Sequence, residues 1–326
     1  MFCKWPIIKA MCSWVCGKFC LFVWEHSFYS LISVPWVAVF FIPSSLVVFC
    51  YFFQYLRRQN YSTMSNRPLI LVSNDDGYLA KGINCLIQVL REFGDVVVVA
   101  PHTGRSGKGC AITSETPVKV WEVKAEEGLV VYACTGTPCD CIKLACHAYV
   151  PRTPSLIVAG INHGDNSAVN AHYSGTMGAV IEGCMKGIPS VAFSLCSHDA
   201  DADFTATYPY IRRVVSEVLQ RGLPTGSCLN VNFPDTPSFA GVKVCRQAVG
   251  TWVNEWEAHN HPRGGKWWWL TGEFEKNDTD EAADRVALDN NFVTITPTRI
   301  DFTDYALLAE MQGWGAIFKP LEKEGL

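Results

Sequence analysis

Leu69-Ile70-Leu71-Val72-Ser73-Asn74-Asp75-Asp76-Gly77 decides how the rest of the chain is read. Four apolar, partly β-branched residues have the character of a strand buried on both faces of a parallel sheet, and the pattern stops abruptly at a polar turn. Two adjacent carboxylates therefore stand at the carboxyl end of a strand, which is where open α/β sheets bind ligands. Like charges at that spacing raise each other's pKa, and a divalent cation would remove the repulsion. An Asx turn with Gly77 at positive φ accounts for the same residues, and composition alone does not separate the two.

The whole chain has 326 residues, enough for one large α/β domain with additions. A formal net charge of −4 and the lack of any basic block exclude duplex nucleic-acid binding as a main role. The 15 cysteines form no repeated C-x-x-C pattern, and a chain this long needs no disulfide framework. They are read as reduced thiols of a cytoplasmic protein. Cys134, Cys139, Cys141 and Cys146 cluster, but Cys139 and Cys141 open an expected helix, so burial suits them better than zinc.

Residues 1–63 have a different composition. Glu25 is the only acidic residue up to Asn60, and no charge occurs from Phe28 to Phe53. That run exceeds the roughly 20 apolar residues of a spanning helix, and Arg57-Arg58 would hold its end on the cytoplasmic side. Pro35 and Pro43 would kink it. Alternatively, Met64 is an ordinary cytosolic start and 1–63 is translated upstream sequence. Both readings stay open: 28–53 as a membrane anchor, or an extension outside the working domain of residues 64–326.

Past Gly77, apolar residues at helical spacing (Leu86, Ile87, Val89, Leu90, Phe93) predict a helix. No Lys-Ser/Thr follows Gly82 and no G-x-G-x-x-G occurs, which excludes a P-loop and a dinucleotide fingerprint there. Asp95 to Ala100 is a second buried strand. His102-Thr103-Gly104-Arg105-Ser106-Gly107 puts a guanidinium and a hydroxyl at its end; a Gly-rich turn explains the glycines but not Arg105. Strands follow at 118–121 and 129–132, then a helix capped by Thr137 with Pro138 at its first position. Ser155 to Ala159 is another buried strand, ending in Gly160-Ile161-Asn162-His163-Gly164-Asp165-Asn166. Tyr173-Ser174-Gly175-Thr176 opens a helix whose N–H groups, hydroxyls and dipole suit a phosphate, although a plain N-cap would look the same. Residues 189–194 form a strand and 211–219 a helix. Beyond Asn232 the alternation fades: Trp252, Trp256 and Trp267 to Trp269 crowd an irregular stretch expected to be an interface. A strand at 292–296 and a helix at 305–312 close the chain.

Taken together, Ser73 to Gly77, Arg105-Ser106-Gly107, Thr135 to Asp140, Gly160-Ile161-Asn162 with Asn166, Tyr173 to Thr176 and Ile295-Thr296-Pro297 occur in an order that resembles the SurE-type stationary-phase survival proteins, metal-dependent 5′/3′-nucleotidases. The resemblance covers roughly residues 67 to 312. It implies a Rossmann-like three-layer α/β sandwich with a mostly parallel sheet. It also implies a C-terminal oligomerisation arm, placed at 246–290, that makes a homo-oligomer, dimer or tetramer. The metal ligands it carries over are Asp75, Asp76, Ser106 and Asn162, with Asp75 and Asp76 catalytic. The 1–63 extension and His163 depart from the family pattern.

Two carboxylates, a hydroxyl and an amide make an all-oxygen set suited to Mg²⁺ or Mn²⁺. Asn74, Arg105, Ser174, Gly175 and Thr176 are the expected phosphate contacts, and His163 is a geometric candidate for protonating the leaving oxygen. The expected reaction is hydrolysis of nucleoside 5′- and 3′-monophosphates. An aspartyl-phosphate mechanism would need Asp-x-Asp, and Asp75-Asp76 lacks the spacer. A membrane-tethered nucleotide- or metal-binding module without turnover is the rival from another class.

Overall fold

The computed structural model describes residues 67–315. The candidate membrane segment at 28–53 lies outside them, and among the described residues no helix is long and apolar enough to cross a membrane. The central sheet has nine strands. In chain order they are β1 (Leu69–Ser73), β2 (Asp95–Pro101), β3 (Val120–Glu126), β4 (Leu129–Cys134), β5 (Leu156–His163), β6 (Ser190–Leu195), β7 (Ser227–Phe233), β8 (Gly241–Val244) and β13 (Phe292–Arg299). Their spatial order is β3-β4-β2-β1-β5-β6-β7-β13-β8. The run from β4 to β7 is parallel throughout, while β3 and β13 pair antiparallel to β4 and β7.

Alternation along β1 shows why its apolar run is uninterrupted. Ile70 and Val72 face one core with Ile83, Leu86 and Leu90 of α1 (Lys81–Leu90) and Ile211, Val215 and Val218 of α5 (Tyr208–Arg221). Leu69 and Leu71 face the other, with Ile142 of α2 (Pro138–Leu144) and Met177, Ala179 and Val180 of α4 (Gly175–Met185). The result is the three-layer α/β sandwich, every residue of β1 and β2 being buried. A four-residue helix, α3 (Asn170–Tyr173), precedes α4.

Several expectations need correction. The strand expected at 118–121 runs from Val120 to Glu126 as the exposed antiparallel edge. β5 does not stop at Ala159; it continues to His163 across a register shift between Ala159 and Asn162, so the polar terminus is itself strand. β7 was not anticipated, because its Asn230 and Asn232 break the apolar pattern. The Trp-rich stretch is not irregular either. It forms β9 (Gly250–Val253) paired with β12 (Glu273–Lys276), and a hairpin of β10 (Trp256–Asn260) with β11 (Lys266–Leu270). Trp252 finds cover in its own chain, through Asn170 Oδ1 (2.8 Å) and the Phe274 ring. Trp256, Trp267, Trp268 and Trp269 remain about 60% exposed. The short α6 (Asp284–Asp289) anchors the base of this arm, and α7 (Tyr305–Met311) closes the described chain with no buried residue.

Candidate active site

Strand order reverses around β1 and β5: from β1 the chain crosses to β2 on one side, and from β5 to β6 on the other. The crevice above β1 and β5 is therefore the topological switch point, where doubly wound sheets bind ligands. Asp75 and Asp76 follow β1, Arg105 and Ser106 follow β2, Asn162 is the last residue but one of β5, and Ser174 caps α4.

Asn74 explains the turn. Its Oδ1 accepts from the Gly77 amide (3.2 Å) and its Nδ2 donates to the Gly77 carbonyl (2.9 Å). The Asx turn weighed against a metal site is thus real, but Asn74 makes it and both carboxylates are left free of it. With both polar atoms committed and its side chain fully buried, Asn74 shapes the loop rather than presenting itself to phosphate.

Asp75 is only 3% exposed. Burial pushes its carboxyl up, against the Thr176 hydroxyl and the amides of Gly175 and Thr176, which stabilise the charge. The Thr176 hydroxyl donates to Asp75 Oδ1 and lies 3.4 Å from Asn162 Oδ1, so these two oxygens converge. Asp76 accepts from the His163 amide (3.2 Å), and burial, then the Asp75 charge, push its carboxyl up to about 6. The Ser106 loop is held by the Arg105 amide donating to the Asp75 carbonyl (2.6 Å), with Ser106 itself exposed.

These residues fit a hard cation. A buried carboxylate, a half-buried one of like charge and an amide oxygen gather at one crevice, a set whose repulsion a divalent ion would relieve. Among the described residues no group of three His, Cys, Asp or Glu converges to offer a softer alternative.

The expected phosphate contacts divide. Ser174 spends its Oγ on the Met177 amide (3.0 Å) as N-cap, and the Thr176 hydroxyl and the first amides of α4 serve Asp75. The plain-cap reading therefore holds for the Ser174 hydroxyl. Arg105 is different: its Nη2 donates to the Thr135 carbonyl (2.8 Å), while its buried Nε has no protein partner. A buried guanidinium donor without an acceptor is costly, and an anionic oxygen would satisfy it.

Gly175 has no room for a side chain, since a Cβ would lie 2.7 Å from Asp75 Cβ, 3.0 Å from its Oδ2 and 3.1 Å from Pro138 Cγ. Gly175→Ala is expected to displace the carboxylate and lower turnover about 100-fold, the scale of a misplacement of about 1 Å. Phosphate-release kinetics beside thermal melts check this; full activity would mean that Asp75 moves freely.

His163 Nδ1 donates to the Asp199 carbonyl (3.0 Å) and its ring meets Phe204 edge-on, leaving Nε2 for proton transfer. A second histidine, His198, has no motif to announce it. It lies in the loop after β6 with its ring against Gly164, and its charge lowers the Asp76 pKa as that of His163 does. Behind the site, Asn166 donates to Ser194 Oγ (2.7 Å), while its amide and carbonyl are held by Asn232 and Asn230 (2.8 and 2.7 Å). These β7 asparagines could be found only by knowing that β7 lies two strands from β5.

A family model described as survival protein SurE matches residues 70–254. A 5′-nucleotidase SurE of Phocaeicola vulgatus is 58% identical over 249 residues, covering 76% of this chain and 97% of that protein. A 5′-nucleotidase SurE of Bacteroides thetaiotaomicron is 56% identical over 251 residues, covering 77% and 97%. Among solved structures, the SurE protein from Aquifex aeolicus superposes with a TM-score of 0.66 at 33% identity, over 76% of this chain and all of that one.

Proposed function

The chain belongs to the survival protein SurE family, and from that premise we propose that it is a 5′-nucleotidase working with a divalent cation held by Asp75, Asp76, Ser106 and Asn162. The substrate is a nucleoside monophosphate, 5′- and also 3′-, and the products are nucleoside and phosphate. The observation that carries the reading is the carboxylate pair at the switch point, Asp75 buried and Asp76 half-buried, beside the unpartnered Nε of Arg105. When bound, a hard cation such as Mg²⁺ or Mn²⁺ supplies Lewis-acid polarisation of the phosphoryl group.

The protein's own groups do the rest. Arg105 binds a phosphoryl oxygen through Nε and meets charge that builds during transfer. The Gly175 and Thr176 amides hold Asp75 in place and oppose the effect of burial on its charge. His163 Nε2 protonates the leaving nucleoside oxygen, with its ring oriented by Asp199 and Phe204. Phosphate release from a panel of nucleoside monophosphates, with and without Mn²⁺, tests the reading; absence of metal-dependent release from every member would leave only a binding module.

Carboxylate ligands must be deprotonated, so protons compete with the cation. Since Asp76 is pushed up to about 6 and Asp75 is also raised, affinity falls as pH drops through about 6. The loss is about tenfold per pH unit for each proton displaced. Calorimetric Mn²⁺ titrations at about pH 5 and about pH 7.5 check this; equal affinities would remove Asp76 from the ligand set.

The enzyme is further proposed to be a homo-oligomer joined through residues 246–290. The β10–β11 hairpin presents Trp256, Trp267, Trp268, Trp269 and Leu270 to solvent, an apolar surface that soluble monomers avoid. Phe302, Tyr305 and Leu308 around α7 are also exposed. Replacing Trp267, Trp268 and Trp269 together by Ser is expected to lower the mass by light scattering first and activity second. Unchanged mass would show that the arm folds back on its own subunit.

A further inference from the structure

Among the described residues Cys110 is the one exposed cysteine. It lies four residues beyond Ser106, in a loop that Gly109 ties to the end of α3 by donating its amide to the Tyr173 carbonyl (2.9 Å). On the inner side of that loop, Cys139, in the first turn of α2, is only 2% exposed. Its sulfur lies 3.9 Å from the carbonyl of Gly109, the residue bonded to Cys110, so the buried thiol sits against the backbone that carries the exposed one. The packing around the pair is close: a Cβ at Gly178 of α4 would lie 2.2 Å from the Gly109 oxygen and 3.1 Å from Cys139 Sγ. The loop, α2 and α4 thus meet at these sulfurs.

We propose that Cys110 and Cys139 form a redox modification site, in which Cys110 reacts with a small-molecule disulfide and Cys139 closes an intramolecular bridge. An accessible thiol beside a buried resolving thiol is the arrangement that thiol–disulfide exchange requires. The Cys110 thiolate attacks one sulfur of oxidised glutathione, breaking its S–S bond, forming a mixed disulfide and releasing one glutathione thiolate. Cys139 then gives up its proton and attacks the Cys110 sulfur, expelling the second glutathione. Two protein thiols lose two electrons and two protons in all, and one small disulfide becomes two thiols.

The local charges set the order of events. The neighbouring Cys139 thiol brings the Cys110 thiol down to about 7, so a large share is thiolate at neutral pH. The same contact, followed by burial, holds Cys139 protonated. Once Cys110 is in a mixed disulfide its negative charge is gone, and the main restraint on ionising Cys139 goes with it. The two other thiol contacts, Cys134 with Cys141 and Cys184 with Cys228, involve only buried sulfurs that a solvent-borne disulfide does not reach. Closure ties Cys110 covalently to α2 and so restrains the loop that carries Arg105 and Ser106.

The full chain is reduced, exposed to oxidised glutathione, alkylated with iodoacetamide, digested with trypsin and mapped by mass spectrometry. The expected product links the peptide Gly109–Lys119 to the peptide Ala125–Lys143 through Cys110 and Cys139. Cys139→Ser should instead keep glutathione on Cys110, and Cys110→Ser should give neither product. Before oxidation, Cys110 should be alkylated at least about tenfold faster than the other described cysteines. A wild-type protein that accumulates the mixed disulfide at Cys110 without the bridge overturns the role of Cys139. One in which Cys110 stays unmodified while other described thiols react overturns the site.

Discussion

Asp75→Asn is expected to lower turnover by about 10³-fold or more while leaving the cation-free protein at least as stable as the wild type. The two effects have one cause. Burial pushes the Asp75 carboxyl up, so folding at neutral pH moves the group to a place that disfavours its charge. The sign follows: a carboxyl whose folded pKa is raised penalises the fold above that pKa, and the penalty disappears as pH falls through it towards the unfolded value. An amide of the same shape removes the penalty. It still offers an oxygen to the helix amides, and the Thr176 hydroxyl can turn to accept from the new NH₂. What it lacks is the charge that holds the cation. Phosphate-release kinetics at saturating Mn²⁺, together with melts in chelator, check both halves. Retained activity would remove Asp75 from the catalytic set, and a large loss of stability in chelator would mean that its charge supports the fold.

The second large effect concerns stability and falls on a residue outside every motif. Asp284, fully buried, accepts from the amides of Ala248 (2.9 Å), Ala168 (3.2 Å) and Arg285 (2.7 Å). Ala168 belongs to the loop between β5 and α3, Ala248 to the base of the arm, and Asp284 itself to the start of α6. One carboxylate therefore joins the loop behind the active site to the root of the arm. Asp284→Ala strands at least two buried amides, each costing about 1–3 kcal/mol, less the relief of no longer burying a charge. The expected net loss is about 3 kcal/mol, with Asp284→Asn in between because it keeps one acceptor. Denaturant unfolding of the three proteins measures it. A difference under about 0.5 kcal/mol, the range of ordinary surface substitutions, would show that water replaces the carboxylate.

Asp284 marks the limit of sequence reading, because nothing near it in the chain says what its oxygens meet. Ala168 is 116 residues away and Ala248 is 36. The asparagines behind the site are alike: Asn230 and Asn232 interrupt an apolar pattern, so β7 does not look like a strand. They are nevertheless satisfied, because Asn166 arrives from β5 with matching donors and acceptors. The same holds for His198, brought beside Asp76 only because β6 ends next to β5. The tryptophan stretch failed for another reason. Its strands pair with each other and not with the core, so neither face is buried and no period-2 pattern has to exist.

Local chemistry determined much of the rest. Uninterrupted apolar runs in β1, β2, β4, β5 and β6 have only one low-energy place, between two layers of helices, and that alone gives the sandwich and puts the polar turns at one rim. The sequence also determined the cap of α2, where Thr137 and Asp140 bond reciprocally, since a capping box is complete within four residues. Order of strands, by contrast, is a property of crossovers and not of any segment. Only the tertiary structure decided that β1 and β5 are neighbours, and so that Asp75 and Asn162, 87 residues apart, face one another across the hydroxyl of Thr176. It also decided which donors remain for a substrate. A sequence shows that Asn74, Arg105, Ser174 and Thr176 can all bind a phosphate, but each hydrogen bond is made once, and the folded chain has already used those of Asn74, Ser174 and Thr176 and left Arg105 Nε free.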